Sequence, residues 1–102
     1  MGHSISTANF LLESRMRDAA AGKADALYDL GVAYSSGSGG VGLDLVEAHK
    51  WFNLAALSGD RRGQTCRAEI ADEMTAREIA EAQRQARAWL AATAPSARRM
   101  AA

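Results

Sequence analysis

The chain has 102 residues, 48% of them apolar, with twelve basic side chains against twelve acidic ones and a single cysteine. That length holds one small domain, and the apolar share suffices for a core without disulfides or metal. The balanced charge argues against a general binder of nucleic acid or of an anionic membrane, and the lone Cys66, with no CxxC or Cys/His cluster, leaves a bridge, a zinc site or a haem nothing to build on.

No basic stretch and no long apolar run follow Met1, and no segment is apolar enough to cross a bilayer. A reducing, cytoplasmic setting is the expectation. Gly2 and Ser6 meet the bare myristoylation spacing, but Gly2-His3 also reads as a cloning scar. Residues 1–5 are therefore expected to be an unstructured or cloning-derived start, ahead of a single domain over 6–94.

One proline, many alanines and few β-branched residues point to an all-α fold. Five helices are expected. The first runs from about Ser6 to Ala21, with Ala8, Leu12, Met16 and Ala19 at helical spacing. The second runs from about Ala24 to Ser36, where Leu27, Leu30 and Tyr34 share a face. Gly31 inside it costs about 1 kcal/mol relative to Ala, so it is expected to face the backbone of a neighbouring helix. The glycine loop 37–42 ends that helix. Asp44, three residues before Glu47, is the N-cap expected for a third helix reaching about Leu57, with Leu45, Ala48, Phe52 and Ala55 as its stripe and Trp51 and Ala56 widening it. Gly59 is the expected stop. The fourth helix, from about Arg61 to Glu73, has only a narrow apolar line of Cys66, Ile70 and Met74. Thr75 and Glu78 have capping-box spacing and open a fifth helix carrying Ile79, Ala82, Ala86, Trp89 and Leu90. Pro95 cannot continue it, and residues 95–102 are expected to fray.

Chemistry-bearing patterns are sparse. Gly37, Gly39 and Gly42 satisfy GxGxxG, but a helix precedes them where a dinucleotide fold has a strand, and Asp44 and Glu47 would repel a pyrophosphate. His49 has no carboxylate at helical spacing to orient it, so neither a triad nor a metal site is suggested. Cys66 lies among Arg61, Arg62 and Arg67, which favours a thiolate if they are close, yet a small buried hydrophobe is the simpler reading. No catalytic residue, cofactor or metal ligand is assigned.

Residues 22–59 have a further order. Gly22, Ala24, Ala26, Tyr28, Leu30, Gly31 and Tyr34 are followed by Gly37, Gly39 and Asp44, then by Ala48, Trp51, Ala55, Ala56 and Gly59. This resembles one complete Sel1-like repeat, a TPR-like helix pair. The resemblance implies a short α-solenoid of antiparallel helix pairs, with residues 60–94 as a degenerate half-repeat and a capping helix. Gly40 is an extra residue in the turn, and Arg61, Gly63, Thr65 and Arg67 replace the second unit's expected residues. The stretch from Asp44 onward also resembles small bacterial proteins of this kind that end in a helix after the repeat. The resemblance implies a non-enzymatic adaptor or regulator that binds another protein, and the exposed candidates for that contact are Tyr34 near the turn and His49, Lys50 and Asn53 on the third helix. Two alternatives go with it. One is a homodimer formed at an incompletely capped end near Ile70 and Met74. The other is an enzyme for β-lactam-type ligands, for which no Ser-x-x-Lys or nucleophile elbow is present. Trp89 and Leu90 are expected to pack on the fourth helix and close the stack.

Overall fold

The computed structural model describes residues 3–94, with side chains from Asn9 onward. It contains five helices and, among the described residues, no strand: α1 (His3–Ala20), α2 (Ala24–Ser36), α3 (Leu45–Leu57), α4 (Arg61–Ala71) and α5 (Ala76–Thr93). The first helix begins at His3, earlier than its apolar spacing predicts. No proline or glycine stands between His3 and Ala20 to stop it. The expected fraying of 95–102 lies outside the described residues.

Local signals fix the helix ends. Gly22, Gly37 and Gly59 follow α1, α2 and α3 with φ of 82°, 72° and 96°, the left-handed geometry that glycine adopts without a Cβ penalty. Asp44 caps α3 by accepting from the Glu47 N–H at 3.1 Å. The box is not reciprocal there. The Asp44 N–H donates to the Tyr34 carbonyl instead, at 2.9 Å, which ties the loop to α2 and frees the Glu47 carboxylate. Thr75 and Glu78 form the full reciprocal box at the start of α5. α4 starts on the Asp60 carboxylate and ends two residues short of Glu73.

α3 is the central helix. α2 packs along it most extensively, α4 and α5 also lie on it, and α1 rests on α2. Trp51, Phe52, Leu30 and Leu54 are the largest fully buried side chains, interleaved with Ala48, Ala55, Ala26 and Ala33. Small residues let the helix backbones approach while the large ones fill the layers.

Two glycines set these approaches. A Cβ on Gly31 would enter the Phe52 ring, so this glycine accommodates a buried aromatic ring and not a helix backbone. On α4, a Cβ on Gly63 would stand 2.7 Å from the Phe52 carbonyl oxygen and 2.9 Å from the Ala56 nitrogen. Gly63, a departure from the repeat pattern by sequence, is where α4 meets the α3 backbone.

The fifth helix is placed differently from the expectation. Trp89 packs on Trp51 of α3, ring centroids 4.8 Å apart and nearly perpendicular, and Ala86 joins the core cluster of Ala19, Leu27, Leu30 and Leu54. Leu90 stays 44% exposed. Helical periodicity puts Trp51 and Leu54 on the side of α3 away from Asn53 and Ala56, the side that α4 covers. α5 thus crosses back to the α1 side of the molecule. Ile70 and Met74, expected at the open end, are half-buried.

Candidate functional site

The side chains singled out by sequence lie at the α2–α3 turn and along α3, but they do not form one exposed patch. His49 is 3% exposed, so it is no contact residue. α4 covers that face of α3 and brings Arg67 beside it. The imidazole pKa is lowered from its ordinary value, first by burial and then by the Arg67 charge. Its Nδ1 has no hydrogen-bond partner. Asn53, one turn on, is half-buried, and its side-chain oxygen accepts from Arg67 Nη1 at 2.5 Å. Asn53 therefore joins α3 to α4.

Tyr34, Glu47 and Lys50 do come together. The Lys50 side chain is 12% exposed, so it is not the open surface contact expected from sequence; its ammonium pairs with Glu47 at 2.9 Å and lies 4.6 Å from the centre of the Trp51 ring. Glu47 also accepts from the Trp51 indole N–H at 2.9 Å. The freed carboxylate of the half-made capping box thus holds a lysine and a tryptophan on consecutive positions of α3. Tyr34 is half-buried against the core, and its hydroxyl pKa is raised by burial and then by Glu47 and Asp44. The tyrosine stays protonated and able to donate. Beside this group the turn exposes Gly37 to Gly40 and the Leu43 side chain, which is 65% exposed.

A second polar cluster was missed by sequence reasoning. The Arg62 guanidinium lies 4.1 Å from the centre of the Tyr28 ring and pairs with Asp60 at 2.7 Å and with Asp25 at 3.0 Å. Asp60 is held below the usual carboxylate range, chiefly by its hydrogen bond from Arg62. The Tyr28 hydroxyl pKa is raised, first by burial and then by the neighbouring Cys66. Arg62 thus replaces an apolar contact between α2 and α4 with a stacked, ion-paired one. An arginine 37 positions from Asp25 has no local signal for that pairing.

The glycine loop binds its own helix. Asp44 occupies the α3 N-terminus, where a phosphate would need free N–H groups. Among the described residues no His, Cys, Asp and Glu group is arranged to hold a metal ion, and no helix is long and apolar enough to cross a membrane. Comparison with family models, curated proteins and solved structures gave no match.

Proposed function

We propose that the chain is a protein-binding module, an adaptor or regulator without catalytic activity, and that it engages its partner at the α2–α3 turn. The observation that carries this reading is the Tyr34–Glu47–Lys50 group. Its aromatic hydroxyl and ammonium are positioned in advance, one by core packing and the other by Glu47 and Trp51. Little side-chain freedom is lost on binding, which is where such contacts gain affinity. Exposed Leu43 adds an apolar contact next to them, and tyrosine is favoured at interface hot spots. The Sel1-like order of small and aromatic residues over 22–59 supports the same reading, as does the packing of small residues against large ones between α2 and α3. A bacterial, cytoplasmic setting belongs to this proposal.

The reading replaces the four sequence candidates with a smaller set. Tyr34 and Lys50 stay, Leu43 joins them, and His49 and Asn53 act in holding α4. Affinity capture from cells, followed by mass spectrometry, tests it with the parent, Lys50→Gln, Tyr34→Ala and an exposed control, Gln83→Ala on α5. A protein retained by the parent and the control but lost from both turn variants supports the proposal. Retention by all four, or no retained protein, contradicts it.

A further inference from the structure

The fourth helix is held to the rest of the molecule largely by polar contacts. Gly63 is its one fully buried residue, while Cys66, Arg67, Ile70 and Ala71 are half-buried. It packs on α3 and, less extensively, on α2. Arg67 donates to Asn53 of α3, and Arg62 stacks on Tyr28 and pairs with Asp25 of α2. Exposed ion pairs of the second kind contribute little. Short turns at 58–60 and 72–75 join α4 to its neighbours in the chain, and α5 docks on α3 by itself, with Trp89 against Trp51. α4 can therefore lift without carrying α5 with it. Segments with few buried apolar contacts open locally well before the whole chain unfolds.

Beneath α4 lies His49, 3% exposed, with its Nδ1 lacking a hydrogen-bond partner. A buried polar atom without a partner costs the closed form, and water satisfies it once the helix lifts. Charge acts in the same direction. Arg67 of α4 is the charged group that bears on the ring, whereas Glu69, two positions on, is exposed on the opposite side of that helix. On α3 itself Glu47 and Lys50 pair with each other beside Trp51, and among the described residues no charge of α2 or α5 acts on the imidazole. The closed site thus keeps the ring neutral, because burial and Arg67 both oppose the cation. With α4 away the ring stands in water, Arg67 has left with the helix, and the imidazolium forms at its ordinary pKa of about 6.5.

We propose that α4 is a strap over α3 that protonation of His49 releases. The open form binds the proton and the closed form resists it, so a falling pH moves the balance toward the open form. The shift approaches tenfold per pH unit below about pH 6.5 and ends at the closed-form pKa. What opens is one helix, uncovering the strip of α3 that carries His49, Asn53 and Ala56, while α2 and α5 keep their packing on α3. The release is separate from unfolding of the whole chain, and it does not depend on partner binding at the α2–α3 turn.

Hydrogen exchange followed by mass spectrometry at about pH 7.5 and about pH 5.5, one unit either side of the ordinary histidine pKa, tests the proposal. Rates are corrected for the intrinsic pH dependence of amide exchange. In the parent, corrected exchange at the lower pH is expected to rise several-fold, up to about tenfold, in α4 and to stay unchanged in α2 and α5. His49→Gln is expected to give the same corrected exchange in α4 at both pH values. Circular dichroism checks that this variant folds, and His49→Phe, which keeps a ring at the site, takes its place if it does not. Exchange in α4 that is independent of pH in the parent overturns the proposal. So does a rise shared equally by α2 and α5, which is global unfolding, or a rise in α4 that persists without the histidine.

Discussion

At His49 a titratable ring sits inside the protein with the Arg67 guanidinium beside it and Asn53 holding that guanidinium in place. The folded pKa lies below the ordinary value of about 6.5, while the unfolded chain keeps that value. Below about pH 6.5 the unfolded state therefore takes up a proton that the folded state resists, and stability falls as the pH drops toward the folded pKa. Urea denaturation is expected to show a midpoint that declines between about pH 7 and pH 5 in the parent, and less steeply in His49→Gln. Equal slopes in the two proteins would show that His49 titrates freely. No local pattern places this histidine inside. It lies one position beyond Ala48 of the main stripe, and only α4, weak by its own pattern, covers it.

The helices themselves were legible because their ends are written in local chemistry: Asp44 before α3, Thr75 and Glu78 before α5, and glycines after α1, α2 and α3. The packing between them was legible only in part. Gly31 is a close approach, as its place inside α2 predicts, but its neighbour is the Phe52 ring and not a backbone. Gly31→Leu is expected to cost about 1–3 kcal/mol or more through overpacking, and Phe52→Leu in the same chain is expected to recover part of it. A double-mutant cycle by urea denaturation checks the coupling, and strict additivity would contradict the contact. Gly63→Ala has no such relief, since the obstructing atoms belong to the α3 backbone. It is expected to destabilise by about 1–3 kcal/mol and to push α4 outward, releasing the Arg67–Asn53 bond. Faster amide exchange confined to α4 would show this, and an unchanged melting temperature would contradict it. By sequence Gly63 is only a departure from the repeat, because a glycine in a weakly amphipathic helix reads as a poor helix former until the facing helix is known.

For the whole molecule, the number of helices follows from composition and periodicity, but the path of α5 does not. An apolar face with Ala82, Ala86 and Trp89 fits either side of α3, and the choice rests on Trp51 and Leu54 being uncovered once α4 has taken the other side. That path keeps α5 off the α2–α3 turn, where the Arg15 side chain of α1 reaches Gly39. The same turn carries the GxGxxG spacing, and there the structure gives a physical reason against nucleotide binding: the Asp44 carboxylate occupies the end of α3. Calorimetric titration with NAD, ATP or GTP is expected to show no saturable heat, and saturable binding lost on Gly39→Ala would refute this. The most direct measurement of the central claim is photo-crosslinking in the cell, with a photoreactive side chain at Leu43 beside Tyr34 and Lys50 and, for comparison, at Gln83 on the exposed side of α5. A discrete adduct with another protein is expected from position 43, absent from position 83 and weakened by Lys50→Gln. The same adducts from both positions, or none from position 43, would contradict it.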